Sequence, residues 1–256
     1  MIDYDLELRR HNAAFRSALS IAHTDRALDI GCGAGETTRD AARMASQGSA
    51  LGIDRSEEMI RRARALTLAE GLHNASYEHA DVERHSLPSA RFDIAISRFG
   101  TMFFDDPTSA FSSIRLALKP LGRLVMIVWQ AREQNEWAME IERAVARGEA
   151  AARYTAASAR AFSLGDPRAA REILKTAGFS DVAFAEVHEP VFYGHDTESA
   201  LAFVSQFLSV REALGVLNED ARERAQERLH TLLEAHHTPD GTFFDSRAWI
   251  VSAARS

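Results

Sequence analysis

The sequence predicts an α/β protein: a doubly wound, seven-stranded, mostly parallel sheet with helices on both faces. Three observations predict it. Between Arg26 and Trp129, short near-continuous apolar runs alternate with amphipathic segments, the pattern of strands buried on both faces. A glycine-rich turn, Gly31-Cys32-Gly33-Ala34-Gly35, separates the first run from a helical segment. An acidic residue, Asp54, closes the second run 19 residues after Gly35.

In chain order, Asp3–Leu19 reads as a charged, partly amphipathic helix, and residues 1–25 as a helical cover. Arg26–Ile30 is the first strand, and Glu36–Ala45 is the helix that the glycine turn opens. Ser49–Asp54 is the second strand. A helix follows, with Ser56 as N-cap, Glu57 and Glu58 at its positive end and Gly71 just past its far end. Ala75–His79, Phe92–Ser97 and Gly122–Trp129 are the next strands. Pro107–Leu118 is a helix stopped by Lys119-Pro120-Leu121-Gly122. Asp166-Pro167 caps a helix that ends at Gly178. Val182–Val187 alternates like a strand, residues around Arg153–Arg160 read as a small polar loop, and Arg247–Ala254 is the last strand, expected to be antiparallel. Between these two strands, residues 190–242 form an insertion with two helices, Thr197–Leu214 and Glu219–His236, whose apolar residues recur at helical spacing. All of this fits one 256-residue domain, with residues 26–130 as its ligand-binding core.

Composition narrows the function. No run reaches the ~18 apolar residues of a membrane span. The charged N-terminal stretch lacks the apolar core of a secretion signal, so a cytoplasmic location and no membrane partner are expected. Cys32 is the lone cysteine, which excludes an intrachain disulfide and a cysteine zinc cluster. The ten histidines show no metal-ligand spacing, so no metal is expected. A net charge of −7 weighs against a nucleic-acid partner.

Asp29, Gly31, Asp54, Asp81 and Ser97 all fall at carboxyl ends of predicted strands, the rim where such sheets bind ligands. Gly31 and Gly33 allow a ligand to approach bare backbone. Asp54 can accept hydrogen bonds from ribose hydroxyls, which points to an adenosine-containing cofactor. The third glycine of a dinucleotide turn would fall at position 36, where this chain has Glu36. A carboxylate there disfavours a pyrophosphate at the helix start, so a cofactor without phosphate fits better.

These segments resemble the class I S-adenosylmethionine (SAM) dependent methyltransferases. ALDIGCGAG is similar to the family's first motif, GIDRS to its second, ADVE to its third and FDIAIS to its fourth, with PLGRLVMIVW as the fifth strand and its preceding turn. The similarity is strongest to the small-molecule branch typified by ubiquinone and menaquinone biosynthesis. It implies a Rossmann-like fold, SAM as cofactor and S-adenosylhomocysteine as product. By resemblance, Asp29 and the Gly31–Gly35 turn, with Gly33 at its centre, face the methionyl part, and Asp54 takes both ribose hydroxyls. Arg55 and Met59 flank the adenine, Asp81 accepts from its amino group with the Val82 backbone alongside, and Ser97 and Arg98 lie near the transferred methyl.

Competing readings sit beside these. Asp54 could cap the next helix, but Ser56 already supplies that cap. Asp81 could be an ordinary loop acid, Met59 an inward-facing helix residue, and Cys32 a small turn residue rather than a nucleophile. Ser97-Arg98-Phe99-Gly100 stands where enzymes acting on planar nitrogen carry an Asn/Asp-Pro-Pro-Tyr-like motif, which argues against an adenine or glutamine acceptor. Phe99, Met102, Phe103 and Phe104 either line a pocket or pack on the following helix. His11 and His188 are the candidates for substrate contact or proton removal. Tyr4, Trp129, Trp137 and Tyr193 are candidate aromatic walls. The expectation is methyl transfer to a small, partly apolar metabolite at oxygen, nitrogen or carbon, under a helical lid, by a monomer or homodimer. The alternatives are an NAD-dependent oxidoreductase, a non-catalytic SAM-binding sensor or scaffold, and an RNA or protein methyltransferase.

Overall fold

A computed structural model describes residues 4–255. Helices α1 (Tyr4–Glu7) and α2 (Arg9–Leu19) precede β1 (Arg26–Ile30), α3 (Glu36–Met44), β2 (Ser49–Asp54), α4 (Glu57–Ala69) and β3 (Ala75–His79). Next come β4 (Phe92–Arg98), α5 (Pro107–Ala117), β5 (Leu118–Trp129), α6 (Glu136–Val145), α7 (Glu149–Ser158), α8 (Pro167–Thr176) and β6 (Phe179–His188). The chain closes with β7 (Val191–Gly194), α9 (Thr197–Val204), α10 (Leu208–Gly215), α11 (Glu219–Ala235), β8 (His237–Thr238), β9 (Gly241–Phe244) and β10 (Arg247–Arg255).

Two compact units emerge. One comprises residues 14–128, 164–186 and those from 249 onward; the other, residues up to 13, 129–163 and 187–248. The first is organised by a seven-stranded sheet in the order β3-β2-β1-β4-β5-β10-β6. The β1/β2, β2/β3, β1/β4 and β4/β5 pairs are parallel. Strand order reverses between β1 and β4, so their carboxyl ends flank the crevice where doubly wound sheets take ligands. Ala27, Leu28, Ile30, Ile94, Ala95 and Ile96 are buried there, as runs covered on both faces must be.

Several segments depart from the sequence expectations. Asp3 lies outside the described residues, and the N-terminal helix is two helices, α1 and α2. Helix α5 does stop at Ala117, just ahead of Lys119–Gly122, but that stretch is not a turn before the strand: it bulges within β5. Phe92 pairs with Leu118 and Ile94 with Arg123, which pushes Leu121 outward at φ 64°. Pro120 has no N–H for the ladder, and a bulge is where a strand tolerates it. The stretch around Arg153–Arg160 is helical rather than a loop. Its alanines are strong helix formers, and α7 buries Tyr154.

The second unit is not purely helical. It also holds a three-stranded sheet, β7-β9-β8, whose strands of two to four residues are too short to show alternation. Thr197–Leu214 is broken into α9 and α10 at Phe207, which is extended (φ −58°, ψ 133°). That kink lets the Phe207 ring meet both Trp137 and Tyr193.

Candidate functional site

The glycine turn is fastened to the end of β2. The N–H groups of Gly31 and Cys32 both donate to the Ile53 carbonyl, at 2.9 and 3.1 Å. Left-handed backbone at Gly31, Gly33 and Gly35 then folds the turn over the strand end. This brings the Gly33 N–H to Asp54 Oδ2 at 2.9 Å, while Asp54 Oδ1 accepts from the Ser56 N–H at 2.8 Å. Ser56 in turn accepts from the Met59 N–H and caps α4. A carboxylate oxygen has two lone pairs, so each Asp54 oxygen retains one for a ligand.

A Cβ added at Gly33 would meet nothing within 4 Å, so this side of the turn is open. At Gly35 the same atom would lie 2.6 Å from Tyr77 Oη and 2.9 Å from Ala63 Cβ. Gly33 therefore faces space and Gly35 faces core.

Asp29 is fully buried at the end of β1. Its Oδ2 accepts from the hydroxyls of Thr37 and Thr38, each at 2.6 Å, and its Oδ1 has no hydrogen-bond partner among the described residues. Burial pushes its pKa up to about 6, outweighing the two hydroxyl donors and the Arg98 charge. An unsatisfied buried carboxylate oxygen is costly alone and well suited to a cationic or N–H donor group. Thr37 and Thr38 are residues of this site that sequence reasoning misses. Their signal is two hydroxyls in the first turn of the helix that follows the loop, next to a buried acid.

At the end of β4, Ser97 Oγ donates to the Ile30 carbonyl at 2.8 Å and braces the β1 exit. Arg98 Nη1 lies 2.6 Å from Glu36 Oε2, so the helix-start carboxylate that disfavours a pyrophosphate is held by its own cation. Phe99 adopts φ 55°, its N–H bonded to the Ile127 carbonyl. Met102 is buried, and Phe104 packs edge-to-face on Phe111 of α5.

Around the rim, Arg55 is exposed, with its carbonyl 3.1 Å from His79 Nε2, and Met59 is half-buried. Asp81 Oδ1 accepts from the Glu83 N–H, and Val82 is buried beside it. Glu83 then accepts from the N–H groups of Asp105 and Asp106, tying this loop to the one before α5. Cys32 is buried against Ile60, Ala63 and Tyr77, and its thiol pKa is pushed up by burial, which suits packing rather than nucleophilic attack.

The two histidines belong to the other unit. His11 is buried, with Nε2 3.0 Å from Ser246 Oγ and its ring edge-on to Trp129. Ser246 Oγ donates to the Glu189 carbonyl. His188 is exposed, with Nε2 2.5 Å from Asp245 Oδ1. Ser246 thus links His11 to the carbonyl of Glu189, the residue after His188, and Asp245, the partner of His188, directly precedes Ser246. Of the aromatic candidates, Trp129, Trp137 and Tyr193 are buried, whereas Tyr4 is exposed.

No helix among the described residues is long and apolar enough to cross a membrane, and none of their acidic, histidine or cysteine side chains cluster as metal ligands.

Residues 27–122 match the family described as "Methyltransferase domain". The chain is 27% identical over 219 residues to the nocamycin O-methyltransferase of Saccharothrix syringae, covering 82% of this chain and 78% of that one. It is 30% identical over 122 residues to the ubiquinone/menaquinone biosynthesis C-methyltransferase UbiE of Methylococcus capsulatus, covering 46% of this chain and 49% of that one. Other curated relatives are likewise spanned over only about a third to a half of their length. The fold matches the crystal structure of the YcgJ protein of Bacillus subtilis with a TM-score of 0.65 and 16% identity, over 96% of this chain and 98% of that one.

Proposed function

We propose that this chain, whose residues 27–122 match a methyltransferase domain, is a class I methyltransferase that binds SAM and transfers its methyl group to a small, partly apolar metabolite. The observation that carries this is the pairing of an open glycine turn, latched to Asp54, with the unsatisfied Oδ1 of Asp29. A sulfonium amino acid attached to adenosine needs both ends of that arrangement. Asp29 Oδ1 and the Gly31–Gly35 turn hold the cationic methionyl end. The remaining lone pairs of Asp54 take the ribose hydroxyls. Arg55 and Met59 flank the adenine, and Asp81 with the Val82 backbone reads its edge. Ser97 acts through the Ile30 carbonyl it holds, and Arg98 through Glu36, so both fix the shape of the wall rather than touch the ligand first.

When bound, SAM supplies a methyl group on a positively charged sulfur, open to in-line attack. Asp29, the glycine turn and Asp54 do the aligning, which lowers the barrier by several kcal/mol. His188, held by Asp245, and His11, held by Ser246, are the groups available to contact the acceptor or take its proton.

The test is transfer of a labelled methyl group from SAM into an extract separated into small-molecule, RNA and protein fractions. Label is expected in the small-molecule fraction and absent with Asp54→Ala, whose SAM affinity should fall at least a hundredfold. Label confined to a polymer, or unchanged SAM affinity in that variant, overturns the proposal.

A further inference from the structure

A groove of about 350 Å³ opens within the first unit, between α4 and the beginning of β3, the edge strand of the seven-stranded sheet. That volume falls in the range of small-molecule sites, roughly 300–1,000 Å³, and none of the lining residues is assigned to the cofactor. Leu68, Leu72 and Ala75 make its apolar wall. Leu68 is 79% exposed at the lip, a large apolar side chain with little of the protein against it. Arg64 lines the groove one turn before Leu68 on the same face of α4. Its Nη2 donates to the Tyr77 carbonyl at 2.8 Å. A guanidinium has five N–H donors, so others remain for a ligand. Among the described residues Arg64 makes no ion pair, in a chain whose net charge is −7.

Tyr77 lines the same groove and reaches from it to the glycine turn. Its hydroxyl pairs with Thr67 Oγ1 at 2.8 Å and lies 3.4 Å from the Gly35 carbonyl. Its side chain is buried with Cys32, Ile60 and Ala63. There is no slack in the fit: a Cβ at Gly52 would fall 2.9 Å from the Tyr77 ring, and one at Gly35 even closer to its hydroxyl. A ring seated this tightly cannot shift without moving the turn. The lining also restricts the ligand. An apolar wall beside one unpaired cation suits a hydrocarbon that ends in a carboxylate, because a charge-assisted bond to guanidinium is strong. An ammonium would be repelled by Arg64, and a neutral alcohol would leave it without a charge partner.

We propose that this groove is a second ligand site, which takes an amphipathic monocarboxylate and tightens cofactor binding through Tyr77. The carboxylate sits on Arg64 and the hydrocarbon against Leu68, Leu72 and Ala75. A ligand lying on Tyr77 favours the position in which that ring supports Gly35. The cofactor, held by the same turn, favours it too, so each ligand tightens the other by the same factor. The coupling rests on the methyltransferase reading; the carboxylate site does not.

Octanoate is the probe, titrated by calorimetry into the full chain with and without saturating S-adenosylhomocysteine, with octylammonium and octanol as controls. Octanoate should bind at least about tenfold tighter than either control, and at saturation it should tighten S-adenosylhomocysteine about fivefold. Arg64→Gln and Leu68→Asp, both at exposed positions, should each weaken octanoate about tenfold and leave the affinity for S-adenosylhomocysteine alone unchanged. Tyr77→Phe should keep octanoate binding and lose the coupling. Thr67→Val removes the hydroxyl that anchors Tyr77 and gives the same readout if Tyr77→Phe does not fold. Absence of octanoate binding, equal binding of a control, indifference to both groove variants, or an S-adenosylhomocysteine affinity that ignores octanoate overturns the inference. Sedimentation in which Leu68→Asp turns a dimer into a monomer overturns it as well, because a second copy then covers the groove. Failure of the wild type to bind S-adenosylhomocysteine while octanoate still binds counts instead against the methyltransferase reading.

Discussion

Gly33 and Gly35 sit two residues apart, both left-handed, and answer to different demands. Gly33→Ala places a methyl where no protein atom lies within 4 Å. It should cost only the strain of a left-handed alanine, about 1–2 kcal/mol, while SAM affinity falls sharply. Gly35→Ala drives the same methyl into Tyr77 and Ala63. It should destabilise the fold more than Gly33→Ala does. Chemical denaturation beside calorimetry separates the two effects, and equal losses of stability would contradict the assignment. Asp29 offers a second residue-scale test. Its pKa is about 6 in the fold against an ordinary 3.8, so the folded chain holds that proton more tightly than the unfolded one. Its contribution to stability is therefore complete below about pH 4 and lost as pH rises through about 6. The ligand-free wild type should lose stability over that window relative to Asp29→Asn, whose profile there should be flatter. Affinity for the cationic cofactor should rise across the same window, as the carboxyl ionises. The sequence made Asp29, Asp54 and the glycines legible because their spacing from strand ends is local. Thr37 and Thr38 were not, since a threonine in a first helical turn looks the same whether or not a buried acid lies beneath it.

At the scale of elements, the parallel strands were readable because runs such as FDIAIS, buried on both faces, have no polar side to confuse them. The caps Ser56 and Asp166 were equally readable, and each accepts a backbone N–H from the first turn of the helix it starts; Asp106, which does the same for α5, was not read. Ser56→Ala should cost about 1 kcal/mol in denaturant unfolding, and a cost near zero would show that Asp54 alone holds this corner. What stayed hidden was decided by distant partners. The bulge at Lys119–Gly122 is set by Phe92 pairing with Leu118, and Lys119 Nζ reaches Asp93 Oδ1 at 2.7 Å across the same pair. The break at Phe207 answers to rings from α6 and β7, which no local periodicity records. The short strands β7, β8 and β9 form only by pairing with each other.

For the whole molecule, the chain divides its labour. One unit carries the sheet and all the residues assigned to the cofactor; the other carries His11, His188 and the aromatic cluster. The first was predictable from sequence because its motifs resemble a family. The second was read mainly as helices, since its short strands and aromatic contacts lack a comparable signature. A ligand that binds only the folded chain stabilises it by mass action, about 2.7 kcal/mol at a hundred times its Kd. S-adenosylhomocysteine at that concentration should therefore raise the melting temperature by roughly 5–10 °C, and NAD should not. A shift with NAD and none with S-adenosylhomocysteine would reverse the cofactor assignment.

The latch between the Gly33 amide and Asp54 also bears on speed. A glycine loop without such a tether would sample many shapes, and each encounter with a ligand would have to wait for the right one or freeze it afterwards. Here the chain itself fixes the loop at three points, by Ile53 twice and by Asp54 once. Association should then follow a single exponential whose rate climbs linearly with ligand concentration. Differences in affinity among adenosyl compounds should appear almost wholly in how long each one stays.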